Sequence, residues 1–327
     1  MRRESGILGE VRSGTARVLA NSRRVRVDPG AAEAFAAGIR GEGARTADWD
    51  RTLQFSDGTP RTAEWVFVLD SLNFSFWPDP GTPRWRVQYG GTWRRGYFAL
   101  STALKRAVEE GVPVENAEYC SRIREEDLGR ILRGEGEIPL LAERAQTLRE
   151  NAGVLLKRHG GAFANLVREC GGSAAALVEA LVRDFPSFRD VAFYRGATVH
   201  FLKRAQILAS DLWGAFGGQG LGAFRDMEAL TAFADYRVPQ ILRSLGILVY
   251  SDELAAKVDA GVRIGAGTEE EVEIRAGAVQ GVEAIVSALE RLGVAATAFG
   301  TDWLLWNRSH EEEHNRKPYH LTRTIWY

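Results

Sequence analysis

The stretch TEEEVEIRAGAVQGVEAIVSALERLG, residues 268–293, decides the fold class. Its apolar residues recur at three- and four-residue spacing, which is the period of an amphipathic helix. Thr268 followed three residues later by Glu271 is a capping-box signature for the start, and Gly293 marks the end. The same period predicts further helices in the segments 15–25, 30–41, 101–112, 124–136, 140–161, 173–185 and 198–216.

Strand-like sequence is scarce. Residues 64–77, EWVFVLDSLNFSFW, are aromatic and β-branched, and residues 84–91, RWRVQYGG, alternate between polar and apolar. Two shorter segments of the same kind are residues 246–251 and 322–327. The sequence therefore predicts a mainly α protein with a small accessory β-sheet. We expect a single domain over residues 1–327, with the change from mixed to nearly all-helical sequence near residue 100 as the one candidate for an internal seam.

Composition excludes several function classes. The chain has 327 residues, 45% of them hydrophobic and 26% charged, and a formal net charge of -1. A nearly neutral protein has no global field to attract nucleic acid or an anionic membrane, so we expect neither as a partner. The first residues lack the apolar core of a secretory signal, and the two cysteines are far apart. Both observations favour a reducing, cytoplasmic location.

Residues 309–320, SHEEEHNRKPYH, contain a literal match to the H-E-x-x-H pattern of zinc proteases. The match comprises His310, Glu311 and His314. A zinc-binding helix needs an apolar stripe that buries its ligand face and a third ligand. Here the segment is polar throughout, Pro318 ends any helix, and the candidate third ligand, His320, lies beyond that proline. We therefore expect no metal site.

Three segments combine acidic, basic and aromatic residues in a way that a hydrophobic core does not need. In residues 66–79, Asp70 lies among aromatic residues, and burying a carboxylate there is costly without a partner. An acid flanked by stacking rings suits a planar nitrogenous ring with N–H donors. The alternative is that Asp70 caps a turn at the end of a strand.

In residues 200–214, Lys203 lies on an otherwise apolar helix, and Asp211 follows two turns later on roughly the same face. The alternative is a solvent-facing basic rim. In residues 230–248, Asp235 precedes a helix that has Pro239 in its first turn, which makes it a candidate N-cap. A carboxylate in that place is also held rigidly near the helix dipole, as a catalytic acid would be. Asp302 lies between aromatic and apolar neighbours.

Five strings of residues together resemble one family, the queuosine salvage proteins, which are queuosine 5′-phosphate N-glycosylase/hydrolases. The strings are LDSLNFSFWPD (69–79), KRAQILASDLW (203–213), FADYRVPQIL (233–242), EVEIRAG (271–277) and KPYHLTRTIWY (317–327). The resemblance runs from about residue 45 onward and departs at Ser75, where the family pattern has cysteine. It implies release of the 7-deazaguanine base queuine from queuosine 5′-monophosphate, a fold similar to helix-hairpin-helix DNA glycosylases, and no cofactor.

The resemblance also implies site residues. Asp235 matches the position of the glycosylase catalytic aspartate, where a carboxylate stabilises an oxocarbenium-like state. A second acid should accept hydrogen bonds from the base edge, with Asp302 ranked before Asp70. The phosphate should contact cations or donors, with Lys203 ranked first, and aromatic rings should sandwich the base. The remaining substrate-binding candidates are Asn73, Phe74, Phe76, Trp77, Trp303, Lys203, His200, Tyr236, Arg237 and the group Arg316, Lys317, His320 and Arg323.

Two other readings of the same residues stay open. A protein that binds queuine or another nucleobase without chemistry, in association with tRNA modification, would keep the aromatic–acid pocket without needing Asp235. A DNA glycosylase would share the fold and the aspartate, but the near-neutral charge disfavours duplex binding.

Overall fold

The structure is a computed structural model that describes residues 6–41, 49–79, 81–311 and 317–327. Within these ranges it is mainly helical. The helices are α1 (Gly6–Asn21), α2 (Pro29–Gly38), α3 (Pro60–Ser71), α4 (Gly96–Glu109), α5 (Ala117–Cys120), α6 (Glu125–Ile131), α7 (Leu141–Arg158), α8 (Phe163–Glu169), α9 (Ala174–Asp184), α10 (Lys203–Ala215), α11 (Arg237–Ser244), α12 (Asp252–Asp259), α13 (Glu269–Arg291) and α14 (Ala298–Glu311).

The strands of the described chain are few, which agrees with the predicted mainly α fold, and they form three separate antiparallel pairs. They are β1 (Val25–Val27) with β6 (Leu248–Tyr250), β2 (Arg86–Tyr89) with β3 (Thr92–Arg95), and β4 (Val191–Tyr194) with β5 (Ala197–His200). Two of the predicted segments, 84–91 and 246–251, contain β2 and β6.

Helix α13 confirms the prediction made from residues 268–293. The Thr268 hydroxyl accepts a hydrogen bond from the Glu271 N–H, and Gly293 has a φ of 75°, which a glycine adopts without strain. Inside the helix, a Cβ atom on Gly277 would lie 2.9 Å from Val25 Cγ1 and 3.1 Å from Leu248 Cδ2. The missing side chain therefore lets the β1–β6 pair lie directly on α13.

The prediction of a strand over residues 64–77 is wrong: its first part is helical, and residues 72–77 form an irregular loop. Residues 60–71 form α3, whose N-cap Thr59 accepts a hydrogen bond from the Arg61 N–H and whose first residue is Pro60. Every residue from Trp65 to Ser71 is buried, so the helix has no polar face to reveal its period. The terminal segment 322–327 is also not a strand; its nearest ladder contact is an isolated bridge between Leu321 and Arg263.

Two hydrophobic clusters form the core of the described chain. The larger one gathers the buried faces of α3, α4 and α7–α10, and the smaller one joins α2, α11, α13 and the β1–β6 pair. Residue 100 lies inside α4, and the single-domain organisation stays a prediction. None of the helices in the described part of the chain is both long and apolar enough to cross a bilayer.

Candidate active site

A cavity of about 710 Å³ opens between the loop after α3, the β2–β3 pair, α10, the segment before α11, and α14. Its volume is in the range of small-molecule sites. The lining is rich in aromatic side chains: Phe76, Trp77, Tyr236, Trp303, Trp306 and Tyr319. Four carboxylates and several cations share the same walls, so the cavity combines stacking surfaces with charge.

Asp235 lines this cavity at the start of α11. Its Oδ1 accepts hydrogen bonds from the N–H groups of Arg237 and Val238, each 2.8 Å long. It therefore caps the helix, as its sequence position predicted, although it lies one residue before Tyr236, the formal N-cap. Burial raises the pKa of Asp235, while the Lys203 charge and the two N–H groups act in the opposite direction. Oδ2 accepts no hydrogen bond from the described residues and is available to a ligand.

Asp302, on α14, lines the cavity as well and is 2% exposed. Its Oδ1 accepts a hydrogen bond of 2.8 Å from the Phe233 N–H. Burial first, and then the negative charge of Asp235, raise the pKa of Asp302 well above its usual range. The two carboxyl groups thus differ in environment: two N–H groups support Asp235 and only one supports Asp302. Such a difference separates an ionised from a neutral carboxyl group.

Lys203 and Asp211 both face the cavity from α10, as their spacing predicted. The Lys203 ammonium donates to the carbonyl of Asn73 at 3.2 Å. Burial lowers the pKa of Lys203, and Asp235 is the strongest of the neighbouring charges that oppose this shift. The Asp211 carboxylate accepts from the Tyr97 hydroxyl at 3.1 Å, and burial raises its pKa well above the usual value. Lys203 is therefore a buried cation among carboxylates, not a solvated rim residue.

Asp70 is fully buried on α3 and lies outside the cavity lining. Its Oδ1 accepts from the Asn73 amide at 3.2 Å, and its Oδ2 has no hydrogen-bond partner. Burial raises the pKa of Asp70 to about 7. Asn73 does line the cavity, so it stands between Asp70 and any ligand. This position does not suit the expected direct contact between Asp70 and the base.

Three buried cations fix the loop after α3. Every backbone carbonyl from residue 70 to residue 75 accepts a hydrogen bond from Arg144, Lys203 or Arg204. The Phe74 ring lies between the two guanidinium groups, 4.2 Å from Arg144 and 5.1 Å from Arg204. Burial lowers the pKa of Arg144 to about 9 and that of Arg204 to about 10. Phe74 therefore packs behind the loop and, contrary to expectation, does not face the cavity.

The other predicted aromatic residues do come together in the lining. Phe76 and Trp77 lie on the wall after α3, Trp303 on α14, and Tyr236 beside Asp235. Tyr236 is also in tilted contact with Tyr319, with ring centroids 5.0 Å apart. Phe76, Trp77 and Trp303 are thus available to stack on a planar ring.

Most of the cations that the sequence suggested for a phosphate lie elsewhere. His200 ends β5, where its Nε2 is 3.2 Å from Glu10, outside the cavity. Burial lowers the pKa of His320 to about 3, so this histidine is neutral. Arg323 contacts Asp79 and the Trp77 ring. Lys317 is exposed outside the lining, and Arg316 lies outside the described residues.

Sequence reasoning missed several residues that line the cavity. The segment before β2 contributes Arg84, and β3 contributes Arg94 and Arg95. Helix α4 contributes Tyr97, and the terminal segment contributes Tyr327. The string YGGTW in residues 89–93 carried a usable signal, because two glycines between alternating segments predict a hairpin. Both Gly90 and Gly91 have positive φ, at 55° and 76°.

The zinc-like motif is only partly described. His310 lies on α14 at the cavity wall, and its Nδ1 is 2.9 Å from the Trp306 carbonyl oxygen. His314 lies outside the described residues. Across the parts of the chain that the structure covers, no group of three or more potential ligands is arranged to hold a metal ion.

Comparison with known proteins identifies the family. The queuosine salvage protein family matches residues 53–327. The queuosine 5′-phosphate N-glycosylase/hydrolase of Sphaerobacter thermophilus is 48% identical over 313 residues, 96% of each chain. The proteins of that name from Bos taurus and Mus musculus are 38% and 41% identical, covering 94% and 80% of this chain and 95% and 81% of their own. This chain belongs to the queuosine salvage protein family.

Proposed function

We propose that this protein hydrolyses the N-glycosidic bond of queuosine 5′-monophosphate and releases queuine. One observation carries the proposal: an aromatic-lined cavity holds the carboxylates of Asp235 and Asp302 beside the buried Lys203. The relatives named above are N-glycosylase/hydrolases of queuosine 5′-phosphate, and they match nearly the whole chain. The substrate is a small nucleotide, which agrees with a cavity of this volume and with a nearly neutral chain.

Asp235 is the group that faces C1′. Glycosidic cleavage passes through an oxocarbenium-like state, and a carboxylate next to C1′ stabilises the positive charge. The N–H groups of Arg237 and Val238, the α11 dipole and the Lys203 charge all favour the ionised form. Because these contacts use Oδ1, Oδ2 remains for the sugar. Water then adds to C1′ and its proton leaves to solvent or to a neighbouring carboxylate.

Asp302 is the group that binds the base edge. The leaving base is a 7-deazaguanine and has no N7 to protonate, so help for its departure must come at another position. A neutral carboxyl group matches the lactam edge, because its hydroxyl donates to O6 while its carbonyl accepts from N1–H. As the C1′–N bond breaks, both electrons leave with the base, and the Asp302 proton can move to O6. This differs from the ionised acceptor that the sequence suggested, since burial and the charge of Asp235 both raise the pKa of Asp302 and so favour its protonated form.

Lys203 has a different role from the phosphate contact that the sequence favoured. Its ammonium is bonded to the Asn73 carbonyl and is 4% exposed. Its charge compensates Asp235 in a site where an isolated carboxylate would be costly to bury. We therefore assign Lys203 to holding Asp235 ionised and to fixing the loop that presents Phe76 and Trp77.

The mainly helical fold, with a carboxylate at a helix start and a lysine on the preceding long helix, supports the expected kinship with helix-hairpin-helix DNA glycosylases. Superposition of an experimental structure on such enzymes would test it. The near-neutral charge of the chain supports a small nucleotide over a nucleic acid polymer as the substrate, and cytoplasmic location is expected from the cysteine count.

The first experiment is incubation of the purified protein with queuosine 5′-monophosphate in the presence of a chelator, with free queuine followed by mass spectrometry. Release under these conditions supports a metal-independent N-glycosidase. If the chelator abolishes activity and added zinc restores it, the result would instead support a zinc-dependent hydrolase that uses the motif in residues 310–314. Tight binding of queuine without any release would instead favour the non-catalytic carrier, for which the aromatic and acidic lining is sufficient.

A further inference from the structure

We propose that Arg94, on the β2–β3 hairpin, binds the 5′-phosphate of the substrate, with Arg84 and Arg95 beside it at the cavity wall. The proposal rests on the proposed function, since it assigns a subsite of the same cavity. Neither the sequence motifs nor the cations considered above include these residues.

The β2–β3 hairpin places the Arg94 side chain on the face that lines the cavity. Arg94 is opposite Val87 in the antiparallel register, and side chains of directly paired residues lie on the same face of the pair. Val87 is fully buried, and Trp85, two residues earlier on that face, is 2% exposed. Both Trp85 and Arg94 line the cavity. The inner face of the hairpin therefore presents one guanidinium group beside an indole ring.

Arg94 has no partner in the described chain. It forms no ion pair or side-chain hydrogen bond there, and its Nε is buried without an acceptor. Two other arginines of the same region are paired, Arg86 with Glu135 and Arg133 with Glu110. A half-buried guanidinium whose Nε is shielded from water without an acceptor is unfavourable by itself. It becomes favourable when a phosphate supplies two acceptor oxygens to its planar fork.

The distribution of charge sets the orientation of the nucleotide. The walls formed by α10, α14 and the start of α11 contribute three acidic residues, and the negative charge of Asp235 among them would repel a phosphate dianion. The same walls contribute Arg237 and Lys203, but the Lys203 ammonium already binds the Asn73 carbonyl and compensates Asp235. The hairpin wall contributes three arginines and no carboxylate to the lining. A nucleotide with C1′ at Asp235 and its base at Asp302 is therefore favoured when its phosphate points to Arg94.

The test compares two substrates and two matched variants. Arg94→Gln should lower kcat/KM for queuosine 5′-monophosphate about 10–100-fold, the loss expected for one charge-assisted pair. It should change kcat/KM for the nucleoside queuosine less than threefold. Arg86→Gln is the control, because Arg86 lies on the same hairpin but outside the lining. It should leave the ratio between the two substrates unchanged.

Equal losses for both substrates would overturn the proposal, because Arg94 would then only shape the cavity. No loss for either would also overturn it and move the phosphate elsewhere. If the wild-type protein hydrolyses neither compound, the proposed function fails, and dissociation constants then decide about Arg94. Tighter binding of the monophosphate than of the nucleoside, abolished in Arg94→Gln, would support the phosphate site; equal affinities in the wild type would refute it.

Discussion

Replacing Asp235 by asparagine should abolish catalysis while leaving the fold intact. The asparagine carbonyl keeps the oxygen that accepts from the N–H groups of Arg237 and Val238, so the α11 cap survives. Only the negative charge is lost. Two unit charges about 4 Å apart interact by about 4 kcal/mol at an effective dielectric constant of about 20. At about 1.4 kcal/mol per factor of ten, the rate of queuine release should fall about 10³-fold.

Stability should move in the other direction. Burial raises the pKa of Asp235, so the folded protein holds its proton more tightly than the unfolded chain does. Ionising this residue at neutral pH therefore costs folding free energy, and a neutral asparagine avoids that cost. The melting temperature of Asp235→Asn at pH 7.5 should equal or exceed that of the wild type. The difference should shrink as the pH falls toward the ordinary pKa of an aspartate.

The assay is single-turnover release of queuine from queuosine 5′-monophosphate, with thermal melts of the same preparations. Asp28→Asn is the matched control, since Asp28 caps α2 through the Ala31 N–H and lies outside the cavity. Turnover of Asp235→Asn within tenfold of the wild type would refute the catalytic role. A melting temperature several degrees lower would refute the argument that only charge is lost.

Three further outcomes are expected. Asp302→Asn keeps one donor and one acceptor for the base edge, so KM should change little, while kcat should fall about 10²–10⁴-fold. Wild-type activity should fall as rising pH removes the Asp302 proton, and this fall should be absent from the pH profile of the variant; an unchanged profile would contradict the role of Asp302. Asp70 has a pKa of about 7 when folded, so its contribution to stability is present below pH 4 and is lost as pH rises to about 7; denaturant unfolding at pH 5 and pH 7.5 should show a smaller decrease for Asp70→Asn than for the wild type, and equal decreases would be contrary evidence. Arg144→Met leaves three carbonyls of the loop unsatisfied and should lower the free energy of unfolding by about 3–5 kcal/mol. The control Arg149→Met loses one bond to the Ile123 carbonyl and should lower it by about 1 kcal/mol; equal losses in denaturant unfolding would contradict the role of Arg144 as a buried cation.

The apolar periodicity of the sequence predicted those helices that have one solvent-exposed face, and it failed for a helix that is buried on nearly all sides. Helix α13 was predicted correctly because Thr268 and Gly293 mark its ends. Helix α3 was mistaken for a strand because aromatic and β-branched residues fill all of its sides. The pair Thr59–Pro60 was the missed signal, since a capping hydroxyl followed by proline marks a helix start. Local chemistry at a helix end therefore carried more information here than the pattern of its interior.

The site shows the same limit in three dimensions. Spacing along α10 placed Lys203 and Asp211 on one face, and the helix start placed Asp235. Nothing local could distinguish Phe74 from Phe76, because adjacent backbone geometry sends one behind the loop and the other into the cavity. Ser75 between them has a φ of 41°, and no glycine or asparagine at this position indicates the left-handed conformation in the sequence.

The buried cations explain how the loop and the catalytic carboxylate are linked. Arg144 and Arg204 bind carbonyls on both sides of residue 73, and Lys203 binds the carbonyl of residue 73 itself. The same ammonium is the main charge that stabilises ionised Asp235. Burial raises the pKa values of Asp302 and Asp211 well above their usual range, which leaves Lys203 with Asp235 as the compensated pair of the site. Positive charge that develops at C1′ then meets a carboxylate already fixed in place, and no group has to reorganise.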